Sequence, residues 1–202
     1  DEAGRLTTVQ WEQNTPGFSQ GTYNYFYNTN NEVIKVVESP VKEKVFLWEN
    51  GKVVKTEVYT NSVLTQYTLY GYDAAGNVGE AAVHYRQPDG QLKLATLFIY
   101  LYKVDGNLYK QLIYSPIPDS DDYHLDETRT YDNYLDVENP FPIVEILPHK
   151  NTQPNLPSTY RIERDGDDLL YQLSYEFSEE GKPLKRTATF PGGSETAYYE
   201  YY

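Results

Sequence analysis

Residues 98–114 read FIYLY, then KVDGN, then LYKQLIY, and this stretch decides the fold. The two outer parts are rich in tyrosine, leucine and isoleucine, which suit β-strands, and the middle part is polar. Asp105-Gly106 is a dipeptide typical of tight hairpin turns, because glycine tolerates the positive φ that such turns need. The segment therefore predicts two antiparallel strands joined by a turn over residues 103–107.

The same strand–turn–strand pattern recurs at four other places, whose turns lie at residues 28–31, 49–51, 74–77 and 178–181. Asn50-Gly51 in the second of these turns is a hairpin dipeptide, and Asp89-Gly90 and Asp165-Gly166 add two further ones. Turn glycines at positions 76, 90 and 106 follow one another at the spacing of one strand plus one turn, so consecutive hairpins share strands. We expect an all-β protein, an antiparallel meander of repeated hairpins that forms a large curved sheet or partly closed barrel of about 11–13 strands.

Two strands show how the faces of this sheet are used. In residues 97–102, aliphatic side chains alternate with aromatic ones, which predicts burial on both sides and a place near the middle of the sheet for the strand 94–102. In residues 171–177, the odd positions are apolar and the even positions are polar, which predicts one face in water.

The composition excludes several classes of function. The chain has 202 residues, 22 of them tyrosine, with no cysteine and a formal net charge of −13. Disulfides and thiolate chemistry are excluded, and the charge disfavours nucleic acid as a partner. No apolar run reaches the roughly 20 residues of a membrane helix, and lysines that interrupt the candidate strands disfavour a membrane-spanning barrel. The start at Asp1-Glu2 suggests a processed form, with a lipid anchor as an option upstream.

One segment breaks the repeat. Residues 115–158 hold seven of the twelve prolines. We expect a single all-β domain over residues 1–202 with an irregular, proline-rich insertion at 115–158, in which only Leu125–Tyr131 forms a strand. Three roles remain open for the insertion: a lid over one end of the sheet, a domain boundary, or a ligand-binding loop.

The candidate catalytic and metal-binding motifs match known sites poorly. Residues 17–21 match the string G-x-S-x-G, but a nucleophile elbow needs a strand before it and a helix after it. His84 is expected on a strand surface, and the acidic stretch 119–127 around His124 lacks the spacing of a calcium loop. We therefore expect no catalytic residue, no metal site and no cofactor.

Aromatic residues leave a choice between two roles. They either form a platform for sugars or pack across strands against other rings and β-branched side chains, and packing is favoured. The residues concerned are Trp11, Trp48, Tyr100, Tyr102, Tyr199 and Tyr201.

Residues 70–78, YGYDAAGNV, resemble the tyrosine–aspartate (YD, or Rhs-type) repeat. Together with TYDNY at 130–134, NPF at 139–141 and YEFSEEGKPLKR at 175–186, they make the chain similar to a Bacteroidetes family of uncharacterised secreted lipoproteins. The resemblance covers most of the chain and implies a porin-like, all-β fold. It also implies a lipid-anchored or secreted protein of the bacterial cell envelope, and it implies no known activity.

The leading functional hypothesis is a non-catalytic binding or interaction module of the envelope. A carbohydrate-binding component of a nutrient-capture system and a carboxylate-dependent hydrolase are the alternatives. Partners are left open between a glycan and another envelope protein, and no membrane span is expected. The candidate ligand-binding residues lie where the repeat fails, and they are Tyr131, Asp132, Asn133, Tyr134, Asn139 and Phe141.

Overall fold

A computed structural model of the protein describes residues 7–13, 19–118, 120, 122–139 and 154–198. Fourteen strands lie in these described residues, and they follow the predicted hairpins. The strands are β1 (Thr8–Gln13), β2 (Ser19–Tyr27), β3 (Val33–Ser39), β4 (Lys42–Glu49), β5 (Lys52–Thr60), β6 (Val63–Tyr72), β7 (Val78–Arg86), β8 (Leu92–Tyr102), β9 (Leu108–Pro116), β10 (Tyr123–Glu138), β11 (Asn155–Arg164), β12 (Asp167–Phe177), β13 (Pro183–Phe190) and β14 (Gly193–Tyr198).

Strand order in the sheet follows the chain from β1 to β14 without a crossover. Neighbouring strands pair in the antiparallel direction, for example β8 with β9 and β12 with β13. The predicted all-β antiparallel meander is therefore confirmed. β8, predicted near the middle of the sheet, is the eighth strand in the order. No helix in the described residues is long and apolar enough to cross a membrane.

Contacts between residues group the chain into two compact units. Unit 1 comprises the described residues up to Gly71 together with Ala81–Thr96. Unit 2 comprises Tyr72–Glu80 and the described residues from Leu97 onward. The single domain over residues 1–202 stays a prediction.

The core of unit 1 explains many of its tyrosines as packing. Four buried residues form its centre: Val33, Val36, Phe46 and Val53. Half-buried rings pack against them, namely Tyr23, Tyr25, Tyr27, Trp48 and Tyr70. The Trp48 indole N–H donates to the carbonyl of Val33 at 2.7 Å, so its polar tip is satisfied where its ring is buried.

Five turns in the described part of the chain share one hydrogen-bond arrangement. In the turn that starts at Asp73, the Asp73 N–H donates to the carbonyl of residue 77, and the Gly76 N–H donates back to the carbonyl of Asp73. The turns that start at residues 28, 87, 103 and 178 repeat both bonds. The fourth residue always has a positive φ, and it is glycine except for Asn31, whose φ is 64°. Asparagine is the non-glycine residue best suited to that conformation.

Gly106→Ala is expected to lower the free energy of unfolding by about 1–2 kcal/mol, because φ at Gly106 is 84° and a β-carbon is disfavoured there. A β-carbon at this position meets no atom within 4 Å, so the cost is conformational and not steric. Gly106→Asn should lower the free energy of unfolding by less, because Asn31 adopts the same positive φ at the equivalent position of its turn. Urea unfolding of both variants measures the difference, and equal losses would contradict the explanation.

The proline-rich segment is irregular over a shorter range than we expected. The strand predicted for Leu125–Tyr131 is part of β10, which extends over sixteen residues from Tyr123 to Glu138. Asn133, with a φ of 51°, and a register shift between Tyr134 and Glu138 let the strand continue through a polar stretch.

Two of the seven prolines of the segment 115–158 lie inside strands. Pro116 is the last residue of β9, and Pro157 pairs with Tyr134 next to the register shift in β10. Proline is tolerated at such places because no regular ladder hydrogen bond from its nitrogen is required. The prolines at 140, 142 and 148 lie outside the described residues.

The prediction for the faces of β8 needs a correction. Tyr100 on the aromatic face is 7% exposed, whereas Leu101 on the aliphatic face is 43% exposed. Leu101 pairs with Lys110 on β9, so this face shares its surroundings with a charged residue. In residues 171–177 of β12 the even positions are exposed, as predicted, and the odd positions are half-buried except Phe177.

Candidate functional site

A row of aromatic rings crosses four neighbouring strands of unit 2. Tyr131 on β10 is paired with Tyr160 on β11, and Tyr160 is paired with Tyr171 on β12, so the three side chains share one face. The centroids of successive rings are 6.0 Å and 4.3 Å apart, and Phe190 on β13 follows at 5.0 Å from Tyr171. We call this side of β10–β14 the inner face of unit 2.

These rings cover one another. The planes of Tyr160 and Tyr171 are inclined by only 10°, which is a stacked arrangement. A sugar ring or another flat group would have to displace this stack to reach the faces of these two rings. The row therefore contributes to packing. A ligand could contact the edges of its rings and the hydroxyl groups of its tyrosines.

Beside this row, the inner face of unit 2 contains a pocket of about 390 Å³. A volume of this size lies near the lower end of the range for sites that bind small molecules, roughly 300–1,000 Å³. The pocket is lined by Arg129, Tyr131, Asn139, Leu156, Pro157, Tyr160, Ile162, Leu173, Tyr175, Arg186, Ala188 and Glu195. We call it the unit 2 pocket.

Arg129 is one of two arginines in the lining, and a carboxylate of its own strand compensates its charge. Its Nε donates to Glu127, whose side chain is almost fully buried. The other carboxylate oxygen of Glu127 lies 3.6 Å from a guanidinium nitrogen of Arg164. Burial by itself lowers the pKa of Arg129, but the hydrogen bond and charge of Glu127 outweigh it and raise the pKa. Glu127 is thus shared by two guanidinium groups.

Arg186, the second arginine, enters the pocket from β13. It is paired with Tyr175 on β12, so it lies on the inner face. No ion pair joins its guanidinium group to a carboxylate of the described residues. Glu195, paired with Ala188, brings the one carboxylate of the lining from β14. Arg186 is therefore a half-buried cation in the pocket without a carboxylate at salt-bridge distance among those residues.

Tyr160 contributes a neutral hydroxyl group to the same wall. Burial, followed by the neighbouring Tyr171 and Glu195, raises its pKa to about 12, while the charge of Arg186 acts in the opposite direction. Near neutral pH the hydroxyl group is therefore protonated and able to donate a hydrogen bond.

The stability of the protein is expected to fall as the pH rises above about 10, the ordinary pKa of tyrosine. The pKa of Tyr160 is higher in the folded state, so the folded state holds this proton more tightly than the unfolded one. Its contribution is complete below pH ~10 and is lost as the pH passes ~12. Urea unfolding across this range should show a shallower decline for Tyr160→Phe, and identical slopes would contradict the assignment.

The six residues predicted from the sequence fall in three groups. Tyr131 and Asn139 line the unit 2 pocket. Burial raises the pKa of the Tyr131 hydroxyl. Phe141 lies outside the described residues.

The other three predicted residues lie away from the pocket. Asp132 is exposed, and it accepts a hydrogen bond from Lys103 Nζ at 2.6 Å. Asn133 is exposed at the irregular point of β10. The Tyr134 hydroxyl donates to the carbonyl of Leu108 at 2.6 Å, which is a packing role.

Sequence reasoning missed the two arginines of the pocket. Arg129 shares its face of β10 with Tyr131, and Arg186 shares its face of β13 with Ala188 and Phe190. The sequence does contain a signal for them. Each arginine lies at a position that alternates in step with the apolar, inward-facing residues of its strand, and a charge on that face needs a partner.

The other sequence motifs do not form a site. Tyr100 is buried, and the Tyr102 hydroxyl donates to the carbonyl of Val78 at 2.9 Å, as packing predicts. Ser19 of the G-x-S-x-G string opens strand β2, and residues 17 and 18 lie outside the described residues. The side chain of Trp11 and residues Tyr199 and Tyr201 are outside them as well.

The histidines within the described chain have ordinary surroundings. His84 is half-buried and stacks on Tyr67, with ring centroids 4.2 Å apart, so it is less exposed than predicted. His124 is exposed on β10. Among the described residues, no group of three histidine, aspartate or glutamate side chains is arranged to hold a metal ion. His149 lies outside them.

Comparisons with known proteins support the fold. No known protein family matches the sequence, and no curated protein matches it. A porin-like protein from Bacteroides vulgatus has a similar structure, with a TM-score of 0.60 over 98% of this chain and 99% of that chain, at 11% sequence identity. A porin-like protein from Bacteroides uniformis gives a TM-score of 0.60 over 98% of this chain and 83% of that chain, at 13% identity. The chain thus has the porin-like, all-β fold that the family resemblance implied.

Proposed function

We propose that this protein is a non-catalytic binding module of the bacterial cell envelope, either anchored or secreted, and that its ligand enters the unit 2 pocket. The observation that carries the proposal is the pocket itself. It is concave, it combines apolar walls with convergent polar groups, and its volume suits a small molecule.

The lack of an acid–base pair supports a binding role over a hydrolytic one. A glycosidase of the common type needs two carboxyl groups across one cleft, and one of them needs a raised pKa. Among its described residues the pocket lining holds one carboxylate, Glu195. Among the described residues, the carboxyl groups with displaced pKa values have lowered ones, as at Glu57 and Asp132, where hydrogen bonds from lysines are the main cause. A general acid needs the opposite, a raised pKa.

The envelope setting draws on two separate likenesses. The fold is similar to porin-like proteins of two Bacteroides species. The YD-like stretch 70–78 and the motifs at 130–134 and 175–186 resemble a family of secreted lipoproteins. A lipid anchor upstream of Asp1 belongs to this proposal, and globomycin-sensitive labelling of the full-length precursor with a radioactive fatty acid tests it.

A carbohydrate ligand is the second candidate, and the polar edges of the pocket favour it. The hydroxyl group of Tyr160 can donate to a sugar hydroxyl, and that of Tyr175, which itself donates to the carbonyl of Pro157 at 2.8 Å, can accept from one. The stack of Tyr160 on Tyr171 argues against recognition by ring stacking. A sugar would therefore bind through its polar groups, as a short unit inside the pocket.

Ligand-observed NMR with a mixed library of sugars, organic acids, amines and short peptides tests the binding function. Glu195→Trp fills the mouth of the pocket from β14, and Ser194→Trp places the same ring on the opposite face as a control. We expect compounds that bind the wild-type protein and Ser194→Trp to lose binding in Glu195→Trp. A library without any binder, or binding that survives the blocking variant, would overturn the proposal.

A further inference from the structure

We propose that the unit 2 pocket selects a small molecule that carries a carboxylate, and that Arg186 holds this carboxylate. The inference rests on the binding function proposed above and names the chemical class of the ligand. It follows from the ion pairs around the pocket, from the donors that line it, and from the number of its unpaired cations.

The ion pairs around the pocket leave Arg186 without a carboxylate at salt-bridge distance among the described residues. Arg129 is paired with Glu127, so its charge is compensated. Arg164, the second partner of Glu127, lies outside the pocket lining, where Asp165 and Asp167 are close by. Glu195 is the one carboxylate of the lining, and it forms no ion pair with Arg186. A half-buried guanidinium group normally has an anionic partner, which a bound anion would supply.

Donors of two kinds converge on the same space. A guanidinium group offers parallel N–H donors that match the two oxygens of a carboxylate. Tyr160 and Arg186 both line the pocket, and the raised pKa of Tyr160 keeps its hydroxyl group a donor at neutral pH. Together the two side chains can supply donors for both oxygens of a carboxylate.

The number of unpaired cations distinguishes a carboxylate from a phosphate ester. A phosphate monoester carries close to two negative charges at neutral pH, and a carboxylate carries one. Doubling the charge of the ligand doubles its attraction to Arg186 and its repulsion by Glu195 alike. The second charge would need a second unpaired guanidinium group, and Arg129 is already paired with Glu127. The pocket is therefore suited to a singly charged ligand.

The pocket's volume limits the body of the ligand. About 390 Å³ accommodates a molecule of the size of one or two sugar rings. Leu156, Ile162 and Leu173 give the pocket apolar walls, while Asn139 offers an amide. A uronic acid or a comparably small hydroxylated or aliphatic acid fits these surroundings.

Matched probes test the carboxylate directly. Isotope-labelled protein is titrated with glucuronate and glucuronamide, with succinate and succinamide, and with glucose 6-phosphate, and pocket resonances are followed by NMR. In at least one pair we expect the acid to bind ten times more tightly than its amide, and glucose 6-phosphate to bind more weakly than glucuronate. Pocket resonances that respond equally to acids and amides, or to no acid, would overturn the inference.

Variants assign the role to Arg186. Arg186→Gln should weaken acid binding at least tenfold and leave amide binding unchanged, because it removes one charge-assisted pair of hydrogen bonds. Glu195→Gln should tighten acid binding, because it removes a negative charge that repels the carboxylate of the ligand. Arg161→Gln is the control, since Arg161 lies on the opposite face of β11 from Tyr160.

These outcomes separate the two proposals. If only neutral members of the library bind in the pocket, the binding function stands and the carboxylate inference fails. If no compound binds there, both fail. If the acids bind equally well to wild type and Arg186→Gln, the assignment to Arg186 is wrong.

Discussion

Replacing Phe46 with alanine is expected to lower the free energy of unfolding by about 3–5 kcal/mol. Phe46 is 4% exposed and forms the centre of the unit 1 core with Val33, Val36 and Val53. Truncation removes the ring from this apolar environment and leaves a cavity that the flanking strands close only in part. Urea-induced unfolding, followed by tyrosine and tryptophan fluorescence, measures the loss.

Leu47→Ala is the matched control for Phe46→Ala. Leu47 is the next residue on β4 and points to the other face, where it is 39% exposed. We expect the control to lose less than about 1.5 kcal/mol, because much of its side chain is already in water. Similar losses at the two positions would mean that the faces of β4 have been assigned wrongly.

Leu156→Ala is expected to lower the free energy of unfolding by about 2–5 kcal/mol. Leu156 is among the largest fully buried side chains and lines the unit 2 pocket. Its position is fixed by the residue before it. The Asn155 N–H donates to Asn107 Oδ1 at 3.1 Å, and Asn107 Nδ2 donates to Asn155 Oδ1 at 3.1 Å. Asn107 is itself buried, so this pair holds the start of β11 firmly.

Leu170→Ala provides the comparison within the same unit. Leu170 lies on β12 and is 39% exposed, so its truncation should cost less than half as much as that of Leu156. The Leu156 variant should also bind pocket ligands differently, because the truncation enlarges the pocket. A loss at Leu156 no larger than at Leu170 would show that the wall of the pocket is not part of a packed core.

The turns and strands were predictable because their causes are local. Gly106 has the positive φ that its dipeptide indicates, and the spacing of the turn glycines matches the length of the strands between them. Asn31 shows the limit of the glycine rule, since it takes the same place in its turn with a φ of 64°. A search for any residue suited to positive φ finds all five turns.

The strand β10 could be predicted only in part. Leu125–Tyr131 has the alternating pattern, but Asp132-Asn133 looks like a turn in a sequence. In the structure, Asn133 forms an irregular point at which the strand bends and continues to Glu138. Whether such a residue ends a strand or distorts it depends on the neighbouring strand. Here β11 offers pairing partners on both sides of the irregular point.

The pocket could not be predicted, because it depends on register between strands that are distant in sequence. Arg186 is placed on the inner face by its pairing with Tyr175, and Tyr131 is brought to Tyr160 by the pairing of β10 with β11. Slipping one strand by a single residue would turn Arg186 to the other face. Tyr131 and Asn139 were proposed from a break in the repeat, and the neighbouring Asp132 was proposed for the same reason although it faces elsewhere.

Arg186 is proposed as the residue that anchors a ligand in the unit 2 pocket, and its own side-chain resonance tests this role most directly. Arginine Nε–H signals are followed by heteronuclear NMR during titration with glucuronate and succinate, with Arg161 as the internal reference. We expect the Arg186 signal to shift and saturate while the Arg161 signal stays in place. An unchanged Arg186 signal, or equal and unsaturable shifts of both arginines, would contradict the claim.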